Sequence, residues 1–145
     1  MRTDEFLGKL DSERIVHAIR AAEESTSGEI RVFVQRGILR GDALPAAQKQ
    51  FGILGMQKTS ERNGVLIFVV PRARKFAVIG DEGVHQKCGK EYWSALVDSM
   101  REHFKKEDFT KALLEAIEQT GELLARYFPK RGGGPNELSD AVVEG

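Results

Sequence analysis

Residues 63–80, "NGVLIFVVPRARKFAVIG", combine two apolar runs with a short polar connection between them. The continuous apolar run at 65–70 is typical of a strand that is buried on both faces. The polar connection at 71–74 and the second apolar run after it predict an antiparallel hairpin over residues 64–80. A strand with two buried faces needs other elements packed above and below it, which predicts a layered α/β structure.

The segments on either side of the hairpin supply those layers. Residues 29–35 alternate in hydropathy as a strand does, and Asp11 or Ser12 caps a helix that runs to about residue 24. Further helices are predicted at 42–55, from about 83, at 90–105 and at 109–128. A right-handed crossover makes the strand at 29–35 parallel to the first hairpin strand. We therefore predict a three-layer α/β/α sandwich with a small mixed sheet and helices on both faces.

Length and composition limit the function classes. The chain of 145 residues predicts one domain over residues 1–129, followed by a Gly-rich polar tail at 130–145. Lysine plus arginine and aspartate plus glutamate both total 22, so the formal net charge is zero. This balance gives no ground for nucleic acid or anionic lipid as the main partner. The single cysteine, Cys88, excludes an internal disulfide framework.

Neither a targeting segment nor a membrane span is predicted. The first apolar patch is interrupted by acidic residues, unlike a signal peptide, and no segment approaches the ~20 apolar residues that span a bilayer. We expect a soluble, cytoplasmic, monomeric protein that neither binds nucleic acid nor inserts directly into a membrane.

Three polar stretches are predicted to meet at one edge of the sheet. Two parallel strands start at the same edge, and the third strand, which runs the other way, ends there. The stretches are Thr26-Ser27-Gly28-Glu29, Glu61-Arg62-Asn63 and Gly80-Asp81-Glu82-Gly83. Carboxylates, an amide carbonyl and hydroxyls are the oxygen ligands that Ca²⁺ and Mg²⁺ take, and Ca²⁺ accepts them in the looser geometry. The candidate ligands are Thr26, Ser27, Glu29, Asn63, Asp81 and Glu82.

A purely structural interpretation competes with this metal site. Thr26-Ser27-Gly28 is also typical of the residues at which a helix ends. Asn63-Gly64 is typical of a turn, and Asp81 could cap the helix that follows it. Similarly, the basic residues at 72, 74 and 75 in the hairpin turn could bind an anion or simply be solvated. Cysteine-phosphatase, P-loop, EF-hand and zinc signatures all fail on residue type or spacing.

The chain resembles the TPM domain family in four stretches that follow one another along nearly its whole length. They are "AIRAAEESTSGEIRVFV", "RNGVLIFVV", "KFAVIGDEGVHQKCGKEYW" and the ending "YFP…NELSD". The resemblance, to the compact bacterial branch, implies a three-layer α/β fold and divalent-cation binding, calcium above all. The acidic and Asn-Gly loops of the family match Glu29, Asn63, Asp81 and Glu82. It also implies acid phosphatase activity for plant members and a LemA-like membrane-anchored protein as a partner for bacterial ones.

Two functional hypotheses follow. In the first, Ca²⁺, or Mg²⁺, orders the three edge loops and the domain acts as a protein-interaction or regulatory module. In the second, the domain is a metal-assisted phosphatase with Asp81 or Glu82 as the base and Arg62 steadying the phosphate. The sequence favours the first hypothesis because it contains no recognisable nucleophile motif.

Overall fold

The computed structural model describes residues 1–130 and 143–144. The helices are α1 (Thr3–Lys9), α2 (Ser12–Glu23), α3 (Ala43–Ile53), α4 (Glu82–Lys105) and α5 (Phe109–Tyr127), with short 3₁₀ turns at Met56–Lys58 and Pro71–Ala73. The strands are β1 (Glu29–Val34), β2 (Gly64–Val70), β3 (Lys75–Gly80) and β4 (Val143–Glu144). In the described part of the chain, no helix is both long and apolar enough to cross a membrane.

The sheet has the strand order β3-β2-β1-β4. Strands β1 and β2 are parallel, with Glu29 opposite Gly64, and β2 and β3 form the antiparallel hairpin, with Val65 opposite Gly80. The predicted hairpin and the predicted parallel pair are both confirmed. The starts of β1 and β2 and the end of β3 consequently lie at one edge of the sheet, which we call the polar edge.

The two faces of β2 enter two separate cores, because successive side chains of a strand point to opposite faces. Val65, Ile67 and Val69 pack in the larger core with residues of α1, α2, α4 and α5. Leu66, Phe68 and Val70 pack in the smaller core under α3. Every residue of β2 is buried, as its continuous apolar run predicts. Helices thus cover both faces of a mixed sheet, and the predicted three-layer α/β/α class is confirmed.

Two elements were not predicted from the sequence. Helix α1 is only 7 residues long, and it is held by Phe6, whose ring packs against those of Phe104 and Phe109. Strand β4 pairs in parallel with Phe33 and Val34 at the outer edge of β1. The rest of the predicted tail, residues 131–142 and 145, lies outside the described residues.

Helix α4 joins the two helical segments that the sequence predicted separately. Its interior contains Gly89 with φ 73° and ψ 172°, which is not helical, so the helix axis bends there. A left-handed φ is accessible to glycine at little cost, and the bend therefore depends on this residue type.

Candidate functional site at the polar edge

The predicted convergence of the polar stretches is present at the polar edge. The amide of Asp81 donates to the carbonyl of Gly64 at 2.9 Å, and the amide of Gly83 donates to the carbonyl of Arg62, also at 2.9 Å. These bonds fasten the end of β3 and the start of α4 to the segment that leads into β2. Gly28 lies on the other side, where an added Cβ would be 3.1 Å from the carbonyl oxygen of Asn63.

Asp81 and Arg62 form the main charged pair of this edge. Arg62 donates to the Asp81 carboxylate from Nε at 2.7 Å and from Nη2 at 2.9 Å. The Asp81 side chain is 5% exposed and that of Arg62 is 42% exposed. The hydrogen bond to Asp81, opposed by partial burial and aided by the charges of Asp81 and Glu82, raises the pKa of Arg62. Arg62 therefore acts as a permanent counter-charge to a buried carboxylate.

The same carboxylate caps helix α4. Asp81 is the N-cap residue, and its Oδ1 accepts a hydrogen bond from the amide of Glu82 at 2.8 Å. The capping interpretation of Asp81 therefore holds in the structure, alongside an ion pair that the sequence did not predict. Glu82 is exposed and lies 3.6 Å from Arg62, measured from Oε2 to Nη1.

A second hydrogen-bond network joins the stretches that precede β1 and β2. The hydroxyl of Ser27 donates to Oε2 of Glu61. Asn63 donates from Nδ2 to Ser27 Oγ at 3.1 Å and to Glu61 Oε2 at 3.4 Å. The amide of Asn63 in turn donates to the hydroxyl of Thr59 at 3.1 Å. Ser27 and Asn63 are thus brought together with Glu61, which was in the predicted stretch but not among the predicted ligands.

Two other predicted ligands are placed differently. The hydroxyl of Thr26 donates to the carbonyl of Phe128 and accepts from the amide of Gly28 at 3.0 Å, so it ties the end of α5 to the turn before β1. Glu29, the first residue of β1, is only 4% exposed. Sequence reasoning also missed Glu23, a buried residue whose carboxylate accepts the amide of Ile30 at 2.9 Å. At the end of an amphipathic helix and beside Glu24, Glu23 gives no sequence signal of burial.

The side chains of the polar edge meet the requirements of a metal site only in part. Every candidate ligand atom is an oxygen, and oxygen ligands suit Ca²⁺ and Mg²⁺ rather than zinc or copper. However, within residues 1–130 and 143–144, no group of three or more His, Cys, Asp or Glu side chains is placed so that it could hold a metal ion. Asp81 is also neutralised by Arg62. The donor chemistry fits a hard cation, whereas the side-chain positions require Arg62 and the acidic side chains to rearrange before one can bind.

The aromatic residues of α4 lie next to the polar edge. An added Cβ at Gly80 would be 2.9 Å from Cζ2 of Trp93, and Trp93 contacts Tyr92 with their ring centroids 5.4 Å apart. Burial raises the pKa of the Cys88 thiol, one turn earlier. A thiol with a raised pKa is a poor nucleophile at neutral pH, which agrees with the absence of a cysteine-phosphatase motif.

Tyr92 makes the stability dependent on pH in alkaline solution. Its hydroxyl is buried with no hydrogen-bond partner in the described part of the chain. Burial, together with the charges of Cys88 and Glu122, raises the pKa of Tyr92 to about 12 from 10. Between these pH values the unfolded chain has lost a proton that the folded chain keeps, so the free energy of unfolding falls as pH rises.

Urea unfolding at several pH values from 9 upward should therefore show a decline that is smaller in Tyr92→Phe. The other tyrosine provides the control, since Tyr127 is 36% exposed and lies outside this cluster. Tyr127→Phe should keep the decline of the parent protein. An equal decline in the parent protein and Tyr92→Phe would contradict the assignment.

Comparison with known proteins agrees with this structure. The profile of the TPM domain matches residues 2–123. The NMR structure of the BA42 protein from the psychrophilic bacterium Bizionia argentinensis shares 34% sequence identity, with a TM-score of 0.84 and 92% of each chain covered. None of the curated proteins matches the chain.

Two more distant structures share the fold alone. The N-terminal domain of the cg2496 protein from Corynebacterium glutamicum has a TM-score of 0.61 at 18% identity, covering 91% of this chain and 82% of its own. The N-terminal domain of a protein from P. gingivalis has a TM-score of 0.54 at 19% identity, covering 80% and 74%.

Proposed function

The chain belongs to the TPM domain family, whose profile covers residues 2–123, and on that premise we propose that its polar edge binds a divalent cation, Ca²⁺ in preference to Mg²⁺. Binding orders the edge loops, and the ordered surface meets a protein partner. The observation that carries the proposal is that oxygen atoms from three distant stretches meet at the polar edge, where backbone bonds from Asp81 to Gly64 and from Gly83 to Arg62 hold the stretches together.

The residues that would hold the cation are those with carboxylate or neutral oxygen atoms at this edge. Asp81, Glu82 and Glu61 supply charge, and Ser27 and Asn63 supply neutral oxygen atoms. Glu29, at the start of β1, is buried. Thr26 is a weaker candidate because its hydroxyl already donates to Phe128 and accepts from Gly28. Ca²⁺ is favoured over Mg²⁺ because it tolerates an irregular set of oxygen ligands, whereas Mg²⁺ demands near-octahedral geometry.

Arg62 controls access to this site. Its guanidinium occupies both oxygens of the Asp81 carboxylate, and a cation that uses Asp81 must compete with it. The Arg62 side chain is 42% exposed, so it can turn into solvent without being buried elsewhere. The bound cation would then replace the guanidinium of Arg62 as the counter-charge of the Asp81 carboxylate.

The pairing of Arg62 with Asp81 also argues against the phosphatase alternative. Asp81 accepts hydrogen bonds from Arg62 and from the amide of Glu82, and a carboxylate so occupied is a poor proton acceptor. Arg62, the one residue assigned to the phosphate, is directed at Asp81 instead. Only Glu82, which is exposed and 3.6 Å from Arg62, then remains as the base of that alternative, and the binding module has the better support of the two hypotheses.

The direct test is an NMR titration of the metal-free protein with CaCl₂ and then MgCl₂. Amide shifts should be confined to residues 26–29, 61–63 and 80–83, and Ca²⁺ should raise the melting temperature by mass action. Asp81→Asn combined with Glu82→Gln should abolish both effects. Absence of shifts at millimolar Ca²⁺ would contradict cation binding and leave these residues as caps and turns.

Arg62→Gln should strengthen Ca²⁺ binding, whereas the changes at Asp81 and Glu82 should abolish it. Since Arg62 competes for Asp81 and repels a cation, its neutralisation should tighten Ca²⁺ binding by about fivefold, which corresponds to ~1 kcal/mol for a partly exposed ion pair. Lys58→Gln, a neutralisation of another exposed residue near this edge, is the control and should change affinity much less. Weaker binding in Arg62→Gln would show that Arg62 does not compete with the cation.

The proposed protein partner is a LemA-like membrane-anchored protein. The resemblance to the compact bacterial branch of the family supports it, as does the loop-rich character of the polar edge. If the soluble helical part of such a protein binds there, its addition should shift the same amides, and more tightly with Ca²⁺ than without. Shifts at other surfaces would place the partner elsewhere.

A further inference from the structure

The edge opposite the polar edge carries a cluster of basic residues. There the chain leaves β1, turns between β2 and β3, and approaches α3. The basic residues, all exposed, are Arg36, Arg40, Arg72, Arg74 and Lys75. We call this set the basic edge. The formal net charge of the chain is zero. Three of these residues are already neighbours in the sequence of the hairpin turn, and the fold adds Arg36 and Arg40 to them.

Strand pairing places the members of the basic edge side by side. The amide of Gln35 donates to the carbonyl of Val69 at 2.8 Å, so the chain after β1 remains beside the end of β2. Val70 is opposite Lys75 across the hairpin. The turn itself is tight, since the amide of Arg74 donates to Pro71 at 3.0 Å. Neighbouring strands lie about 5 Å apart, so the loop that follows β1 lies close to the turn between β2 and β3.

Among the residues that the structure describes, four of these five basic side chains have no acidic partner. Arg36 pairs with Asp4 at 3.0 Å. Throughout residues 1–130 and 143–144, no ion pair is formed by Arg40, Arg72, Arg74 or Lys75. Of the described residues, three acidic ones lie on segments that reach this edge: Asp4, which pairs with Arg36, Asp42 at the N-cap of α3, and Glu144, opposite Val34 in the register of β4.

An exposed apolar side chain protrudes from the same edge. Ile38 is 72% exposed, and Leu44, in the first turn of α3, is 51% exposed. The loop that carries Ile38 is bounded by Gly37 and Gly41, with φ of 80° and 85°. Its next residue, Leu39, packs against the smaller core. The loop is therefore anchored by Leu39 while Ile38 is presented to solvent between two arginines in the sequence Arg36-Gly-Ile-Leu-Arg40.

We propose that the basic edge docks on an anionic lipid bilayer. The cationic side chains contact lipid phosphates, and Ile38 enters the interface between headgroups and acyl chains. Each basic residue near an anionic surface adds to the affinity, and an apolar side chain surrounded by cations is the pattern of peripheral membrane contacts.

The contact is peripheral rather than spanning, in keeping with the helices described above. A bilayer fits better than an acidic protein, because protein interfaces centre on well-packed pockets, whereas Ile38 and Leu44 are exposed side chains that protrude into solvent. A domain docked in this way holds the polar edge on the side away from the lipid. The composition gave no reason to expect anionic lipid, and the proposal rests on the spatial separation of charges that the fold creates.

Vesicle co-sedimentation tests the proposal. The whole protein should bind vesicles of phosphatidylcholine with phosphatidylglycerol, and not vesicles of phosphatidylcholine alone, with affinity that falls as salt rises. Arg72→Gln combined with Lys75→Gln should weaken binding by about 30-fold, from the usual effect of two basic residues near an anionic surface. Ile38→Ser should also weaken it, by roughly tenfold, through lost apolar contact.

The matched control neutralises two exposed lysines toward the polar edge, Lys58 and Lys87, and Lys58→Gln with Lys87→Gln should bind within about twofold of the parent protein. No binding to anionic vesicles at low ionic strength would overturn the proposal, as would an equal loss in the control. Unchanged binding of Ile38→Ser would overturn the insertion of Ile38. If polyglutamate binds the basic edge and vesicles do not, the partner is an acidic macromolecule and the bilayer is excluded.

Discussion

Gly83→Ala is expected to lower the free energy of unfolding by about 3 kcal/mol, the upper end of what an unrelieved steric overlap costs. A Cβ at this position would be 2.4 Å from the carbonyl oxygen of Glu61 and 2.7 Å from that of Arg62. Both atoms belong to the backbone immediately before β2, and the amide of Gly83 already bonds to the second of them. No side-chain rotation can relieve the overlap, so the start of α4 must move away from the loop.

Two measurements check this. In urea unfolding the midpoint concentration of urea should fall, and in thermal unfolding the melting temperature should drop by roughly 9 °C. Gly52→Ala in α3 is the matched control, because a Cβ there would have no heavy atom within 4 Å. That substitution should stabilise the protein by about 0.5–1 kcal/mol through helix propensity. If Gly83→Ala were as well tolerated as Gly52→Ala, the close approach of α4 to the loop would be wrong, and with it the geometry of the polar edge.

Asp81→Ala is expected to cost about 2 kcal/mol of unfolding free energy. The substitution removes the N-cap of α4, which is worth ~1 kcal/mol, and the two bonds from Arg62 at 2.7 and 2.9 Å. The pair contributes less than a fully buried one, since the side chain of Arg62 is 42% exposed and solvent screens it. The melting temperature should fall by roughly 6 °C.

Asp81→Asn separates the two contributions. Asparagine is as good an N-cap as aspartate, so this variant should lose only the ion pair. Its unfolding free energy should therefore fall by about half as much as that of Asp81→Ala. Combining Asp81→Ala with Arg62→Ala should cost less than the sum of the single changes, because the same interaction is removed by either. Full additivity in this double-mutant cycle would mean that the ion pair contributes nothing to stability.

The regular elements were largely predictable because their signals are local. The apolar run at 65–70 predicted a strand buried on both faces, and every residue of β2 is buried. Asp11 or Ser12 was predicted to cap α2, and the structure selects Asp11, whose carboxylate accepts the amide of Arg14 at 3.2 Å. In each case the deciding residues are contiguous or within one helical turn, so hydropathy period and capping chemistry suffice.

The two elements that the sequence did not predict, β4 and α1, were missed for the same physical reason. Strand β4 has 2 residues and no periodicity of its own, and it is a strand only because the outer edge of β1 provides hydrogen-bond partners. Helix α1 depends on Phe6 meeting the rings of Phe104 and Phe109, which lie about two thirds of the chain away in sequence. Such elements are stabilised by tertiary contacts, which local propensity cannot report.

The candidate site shows the same division. The topology rule for parallel strands was enough to predict that residues near 28, 62 and 81 would meet, and they do. It could not predict that Arg62 would take the Asp81 carboxylate, that Thr26 would bond to Phe128, or that Glu61 would join Ser27 and Asn63. These choices depend on side-chain directions and distances of a few ångströms, which exist only once the strands are paired.

Short-range patterns and chain connectivity were enough to predict the layers, the hairpin, the parallel crossover and the edge at which polar residues collect. Which charges are neutralised and which are left over is set, in contrast, by the tertiary structure. It pairs Asp81 with Arg62 at one edge and leaves Arg72, Arg74 and Lys75 without ion-pair partners in the described part of the chain at the other. Composition sums charges over the chain, whereas electrostatic interactions depend on their separation in space, so a chain of zero net charge can still present a basic surface.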